Sequence, residues 1–283
     1  MTATTPTTWF VTGTSRGLGL ELVKQLLERG DNVAATTRST DRLLRALDGV
    51  NTDRLLAVAL DLTAADAVDA AVRRTIDRFD GLDVVVNNAG YGYLAAVEET
   101  TDHAARQMFD VQVFGVWNVL RSVLPVFRSR HGGHIVNVSS VLGLTAMPGW
   151  GLYCAGKFAL EGLSESLAAE VSEFGGKVTI VEPGYFRTDF LTTDSLALPD
   201  TTTQGYESIR EMTHNHLELQ GSQLGDPVKG AAAVIAIAAS KEGPLRQLLG
   251  SDSYAYATAK VDGLTTDFEA GRELAFTTDH HQA

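Results

Sequence analysis

Residues 9–19 read WFVTGTSRGLG: an apolar, strand-forming run that passes at once into a turn with glycines at 13, 17 and 19. Position gives the stretch its meaning. Helical spacing starts at Leu18 or just after, so the glycines lie between a first strand and a first helix. Glycine lets backbone come close to a ligand there, and the helix start supplies N–H groups with partial positive charge. A pyrophosphate suits that environment; a glycine-rich turn without a ligand is the structural alternative.

Working outward, β-type runs recur at 9–12, 32–37, 55–60, 83–87, 134–138, 177–182 and 247–250. Stretches with apolar residues every three or four positions lie between them, at 18–29, 64–78, 101–129, 155–174 and 228–240. Strands alternating with helices predict right-handed βαβ units. The expected fold is therefore α/β: a Rossmann-type, doubly wound parallel sheet of about seven strands with helices on both faces. No repeat or Pro/Gly-rich linker divides the chain, so residues 1–283 read as one domain. The irregular, polar stretch at about 190–226 is expected to form a substrate lid, because long loops in compact domains commonly serve binding. The tail after about 262 shows no clear core pattern.

Composition narrows the function classes. A net charge of −12 disfavours a nucleic acid or an anionic membrane as partner. The longest apolar run, AAAVIAIAA at 231–239, is far short of a membrane span, and the N-terminus carries no signal-peptide pattern. One cysteine, Cys154, permits no intrachain disulfide. A cytoplasmic location is the expectation. No metal is expected either, since His214 and His216 have no further ligands at suitable spacing and His280–His281 lie in the tail.

Dinucleotide choice turns on the end of the second strand, AATTRST. An acid there would hold the adenine ribose 2′-OH of NAD, but Thr37 occupies the place and Arg38 follows. Arg16 lies in the glycine turn. Two guanidinium forks without a carboxylate favour a 2′-phosphate, hence NADP(H). Asp61, in LAVALDLT, could accept from the adenine amino group, cap the next helix, or do both. VVVNNAG brings Asn88, Ala89 and Gly90 to the carboxyl end of the fourth strand, where ligands of open α/β sheets bind.

With these features in place, the chain resembles the compact form of the short-chain dehydrogenase/reductase family from Trp9 to Gly250. TGTSRGLG is similar to its TGxxxGxG turn, NNAG to its fourth-strand motif, and Y153-CAG-K157 to its YxxxK pair. Ser140, closing HIVNVSS, stands 13 residues before Tyr153, as the family's catalytic serine does. EPGYFRT resembles the PGxxxT segment that holds the nicotinamide carboxamide. YCAGKFALEGL is close to the string of steroid- and retinol-type members.

The resemblance implies hydride transfer between nicotinamide and a carbonyl or alcohol carbon. Tyr153 would be the acid/base, Lys157 the cation that tunes it and binds the nicotinamide ribose, and Ser140 the group steadying the substrate oxygen. It implies cofactor contacts at Gly13, Ser15, Arg16, Gly17, Leu18, Gly19, Arg38, Asp61, Leu62, Asn88, Ala89, Gly90, Tyr153, Lys157, Pro183, Gly184, Phe186 and Thr188. A cation one helical turn away shares a face with Tyr153, so its pKa is expected to fall.

Two positions depart from the family. Gln112 in FDVQVFGVWNV stands where the family has an Asn linked to a backbone kink and a proton-relaying water, and Gly156 stands where Ser is common. Gln112 substitutes, a shifted water compensates, or catalysis weakens. Tyr93, Leu142, Gly143, Leu144, Trp150, Tyr185, Phe190 and Leu191 are expected to face the substrate, which favours a hydrophobic ketone, aldehyde or secondary alcohol. Only Arg187 offers a cation there. By analogy with the family, a homodimer or homotetramer would form through the helices at 101–129 and 155–174. The alternative is an NADP(H)-binding sensor or regulatory protein with little turnover.

Overall fold

The computed structural model describes residues 6–240 and 242–280. The strands are β1 (Thr8–Thr12), β2 (Asn32–Thr37), β3 (Leu55–Ala59), β4 (Val84–Asn87), β5 (Gly92–Tyr93), β6 (Gly133–Val138), β7 (Gly176–Pro183), β8 (Leu196–Ala197) and β9 (Arg246–Leu249). Seven of them form one sheet in the order β3-β2-β1-β4-β6-β7-β9, and every pairing in it is parallel. The order reverses between β1 and β4. At that switch point the first connections run to opposite sides, which opens a crevice beyond the carboxyl ends of the strands.

The helices are α1 (Gly17–Glu28), α2 (Thr40–Ala46), α3 (Ala65–Phe79), α4 (Asp102–Phe109), α5 (Gly115–Arg130), α6 (Gly151–Ser172), α7 (Glu207–Glu218), α8 (Pro227–Ala239) and α9 (Ser251–Phe276). Alternation along β1 divides the core: Phe10 packs with Val119, Phe127, Leu160 and Leu167 of α5 and α6. Trp9 and Val11 turn to the opposite face, against Leu22, Val23 and Leu26 of α1 and Val234 of α8. Each such side chain contributes about 1.5–3 kcal/mol by leaving water. This two-faced burial explains strands that read as continuous apolar runs.

Three elements differ from the sequence reading. The helix expected over 101–129 is interrupted by a π turn at Asp110–Phe114, with Gln112 inside it and 1% exposed. The insert between β7 and α8 carries α7 and β8, and β8 pairs with β5 beside the crevice. The tail is helical: α9 runs on to Phe276, but Ser253 and Ala257 are its only buried residues. Its outer turns lack a core face, which is why periodicity did not reveal them. No helix among the described residues is long and apolar enough to cross a membrane.

Candidate active site

The glycine turn is held by hydrogen bonds that tie three strand ends together. Gly13 N–H donates to Thr36 O at 3.0 Å, and the Thr12 hydroxyl accepts from Asn88 N–H and Ala89 N–H, each at 3.0 Å. Asn88 Nδ2 donates to Thr12 O at 2.9 Å and to Gly13 O at 3.0 Å. TGTSRGLG and NNAG are therefore one interlocked unit. A Cβ at Gly13 (φ +72°) would stand 2.7 Å from Ala89 Cα, and one at Gly19 would overlap Gly13 O and Asn88 Nδ2. α1 starts with no side-chain cap and no acid in its first turn. Its N–H groups thus remain available to an anion, and a dinucleotide pyrophosphate fits this cradle.

All eighteen residues expected at the cofactor line one cleft of about 490 Å³, together with Ser140. At its adenine end Thr37 closes β2, with its hydroxyl accepting from Ser39 N–H at 3.3 Å. Asp61 accepts from Thr63 N–H at 2.9 Å and from the Thr63 hydroxyl at 2.8 Å. Those bonds lower its pKa and form a turn, whereas α3 begins at Ala65, after Ala64, without a side-chain cap. Asp61 therefore lines the cleft and does not cap the helix.

At the centre, Tyr153 and Lys157 occupy the first turns of α6, both buried. A polar ladder places that helix: Asn87 Nδ2 donates to Asn137 Oδ1 at 2.8 Å, and Asn137 Nδ2 donates to Ser164 Oγ at 2.8 Å. Lys157 Nζ donates to Val138 O at 2.9 Å and lies 5.6 Å from the centre of the Tyr153 ring. Burial lowers the Lys157 pKa to about 8, against the charge of Glu161. Burial raises the Tyr153 pKa far above 10, and the Ser140 hydroxyl pulls the other way. Desolvation of the phenolate acts against the fall expected from a neighbouring cation. Ser140 Oγ also accepts from Leu142 N–H at 3.1 Å, which fixes the turn after β6.

Gln112 lies behind this group, outside the cleft lining. Its Nε2 donates to Tyr91 O at 2.7 Å, while its buried Oε1 has no partner. That oxygen and Lys157 Nζ face the same point over Gly90, 3.6 and 3.8 Å from where a Cβ would be. The π turn at Asp110–Phe114 carries the amide at this position.

The other half of the cleft is apolar, lined by Leu142, Met147, Trp150, Phe190, Leu191 and Leu196 among others. Trp150 and Phe190 meet the Tyr153 ring edge-on, with centroids 5.5 and 5.8 Å away. The insert docks here through Tyr185 Oη, 2.7 Å from His216 Nε2 on α7. His216 Nδ1 is 2.8 Å from Met212 O, so Nδ1 carries the proton and Nε2 accepts from the tyrosine. Buried Glu99 anchors the outer side, accepting from Thr203 N–H at 2.7 Å and from Arg210.

A family model described as "short chain dehydrogenase" matches residues 7–197. The chain belongs to the short-chain dehydrogenase family. An oxidoreductase of Botryotinia fuckeliana, BOA17, is 37% identical over 94% of this chain and 97% of its own. The 3-ketodihydrosphingosine reductase of Bacteroides thetaiotaomicron is 33% identical over 85% and 86% of the two chains. Among solved structures, a short-chain dehydrogenase of Streptomyces avermitilis superposes with TM-score 0.89 at 34% identity, covering 99% of this chain and 100% of that one. The fold is shared by a Burkholderia phymatum protein in complex with NAD (TM-score 0.80, 20% identity, 94% and 97% coverage). A Burkholderia cenocepacia protein in complex with NADP gives TM-score 0.69 at 25% identity, with 96% coverage of each chain. The chain is thus a short-chain oxidoreductase whose structural neighbours hold NAD or NADP.

Some of the residues expected to face the substrate in this dehydrogenase stand elsewhere. Tyr93, Gly143 and Leu144 do not line the cleft. Tyr93 is 5% exposed in the packing beneath the cleft, and Gly143 faces Ser139 and Glu161. Arg187 is not among the lining residues; its Nε donates to Gln223 O at 3.2 Å. His214 pairs with Glu218 on the surface, and among the described residues no group of three or more His, Cys, Asp or Glu could hold a metal. His281 lies outside the described residues. Burial raises the Cys154 thiol, so it behaves as a small packed group. Arg42 and Asp194, paired at 3.2 Å beside Arg16, were not found from sequence; Arg42 follows the β2 end by five positions, a spacing with no known signature.

Proposed function

We propose that this short-chain dehydrogenase is an NADP(H)-dependent reductase of a mainly apolar ketone or aldehyde, with the secondary alcohol as the reverse substrate. The observation that carries the reading is convergence: Ser140, Tyr153 and Lys157 meet where the glycine cradle joins the apolar half of the cleft. When bound, the reduced nicotinamide supplies a hydride. Tyr153 delivers a proton to the carbonyl oxygen, a role suited to a phenol that burial keeps protonated. Ser140 donates to the same oxygen and steadies the charge that develops there. Lys157 binds the ribose, with Gln112 Oε1 facing the same point over Gly90 as its ammonium.

Arg16 and Arg38 at the adenine end, with Thr37 in place of an acid, support NADP over NAD. The apolar lining and the relative from Bacteroides thetaiotaomicron, a 3-ketodihydrosphingosine reductase, support a mainly apolar carbonyl. The chain is read as one domain whose insert at about 190–226 acts as a lid. Homodimers or homotetramers are supported by half-exposed Phe114 and Trp117 on the α5 side and Phe158 on α6. A buried free thiol and the lack of a membrane-length helix among the described residues fit the cytoplasm.

The test is NADPH oxidation with a panel of apolar ketones and aldehydes, followed at the nicotinamide band. Turnover that falls as charge is added to the carbonyl substrate supports the reading. Tight NADPH binding without oxidation across the panel favours the second reading, a nucleotide-binding regulatory protein, for which only Gln112 speaks.

A further inference from the structure

The adenine end of the cleft gathers three arginines in a chain of net charge −12. Arg16, Arg38 and Arg42 lie close enough that Arg38 and Arg42 both depress the Arg16 pKa, after burial itself. Against them stands a carboxylate from the insert. Asp194 Oδ2 is 3.4 Å from Arg16 Nη1 and 3.2 Å from Arg42 Nη1, and Arg16 Nη2 donates to Asp194 O at 2.5 Å. Asp189 and Asp61 are the other acids in the lining: the first acts on Arg16 and the second on Arg38. Arg38 has no ion pair among the described residues.

We propose that Asp194 is a specificity-determining residue: it occupies Arg16 and Arg42, competes with the cofactor 2′-phosphate for them, and so limits the preference for NADP(H) over NAD(H). The inference rests on the NADP(H) reading above. A phosphate monoester brings about −1.5 to −2 charges and three acceptor oxygens. It cannot share Arg16 with a carboxylate at contact distance without repulsion, so one anion must give way. NAD(H), with a hydroxyl there, leaves the Asp194 pairs in place. The consequence reaches the apolar half, since Asp194 is three residues from Leu191 and two from Leu196, both in the substrate wall. Cofactor choice and substrate-wall position are thereby joined through one side chain.

The experiment is titration calorimetry of NADPH and NADH at fixed 0.15 M-range salt (about 8 Å screening length), on wild type, Asp194→Asn, Arg42→Gln and the double variant. Asp194 is 59% exposed, so the substitution is expected to leave the fold unchanged, checked by Tm. Asp194→Asn is expected to raise the ratio Kd(NADH)/Kd(NADPH) about three- to tenfold, the scale of two exposed ion pairs. In the Arg42→Gln background the same change is expected to be smaller. Asp200→Asn, on the same insert but outside the cleft lining, controls for bulk charge.

An unchanged or lower ratio in Asp194→Asn overturns the inference, as does an equal rise in Asp200→Asn or an effect undiminished by Arg42→Gln. The wild-type ratio tests the cofactor reading separately. A ratio of one or less overturns that reading, yet a rise in Asp194→Asn from such a baseline still supports a masking role for Asp194. A wild-type ratio well above one with no response to Asp194→Asn overturns the inference alone.

Discussion

The two halves of the cleft are built in different ways. The cofactor half is backbone: strand ends, glycines and a helix start, clipped by Thr12 and Asn88 into one unit. The substrate half is side chain: Trp150, Phe190, Leu191 and Leu196, carried largely by an insert that docks through Tyr185–His216 and Glu99–Arg210. A backbone cradle admits little change, because its atoms have no rotamers with which to adjust. A side-chain wall repacks, and its shape is free to follow the substrate. Tyr153, Ser140 and Lys157 lie on the seam, so chemistry is fixed by the rigid half and offered to the adaptable one.

The sharpest way to break the comparison is at the seam. Tyr153→Phe is expected to lower kcat by about 10²–10⁴-fold while NADPH affinity stays within about twofold. Loss of both together would place Tyr153 in the cradle. Next comes Gly19→Ala, whose Cβ has nowhere to go: NADPH binding should weaken at least about tenfold and Tm fall by about 3–10 °C. Gly162→Ala, a helical site with nothing within 4 Å, is the contrast and should raise stability by about 0.5–1 kcal/mol.

A third test is pH. Lys157 is charged below its lowered pKa of about 8, so kcat/KM for reduction should decline above about pH 8. Its stability contribution has the opposite sign. The unfolded lysine keeps its proton up to about 10.5 while the folded one releases it near 8, so this group's contribution rises with pH between those values. Lys157→Arg should remove the decline near pH 8 from whatever activity remains. A limb unmoved in that variant assigns it to another group.

Smaller effects are expected in the side-chain half. Tyr185→Phe removes the donor to His216, which should raise the KM of a carbonyl substrate about two- to fivefold and cost about 1–3 kcal/mol in denaturant titration. NADPH affinity should barely change; a large loss would show that the insert and the cradle are not separate. Smallest is Gln112→Asn, expected to alter kcat by less than about threefold, since the π turn already brings the amide to Tyr91 O. A large gain would mark Gln112 as an impaired substitute.

Much of the cofactor half was legible in the sequence because its signals are local. Glycines at fixed offsets, a strand before them and a helix after them define the cradle without reference to distant residues. The alternation of about seven strands with helices was read in the same way, whereas the eighteen cofactor positions came from the family resemblance. The apolar half was read less well, and Tyr93, Gly143 and Leu144 show why. They follow the right strands, but which side of a turn faces a cleft depends on what packs over it. Weak periodicity hid α7, whose buried residues are Ile209 and His216 alone. His216 received no role from the sequence, because its partner Tyr185 is 31 residues away.

Sequence alone determined the alternation of strands and helices, and its motifs pointed to the residues that line the cradle and the seam. Those depend on backbone conformation and side-chain period within a few residues. Tertiary structure decided the rest. It raised the Tyr153 pKa through burial, tied Arg187 to Gln223 O, set Gln112 into a π turn, and brought Asp194 across 152 residues to Arg42. Desolvation and contact between distant segments are properties of the packed chain, and no local pattern of residues encodes them.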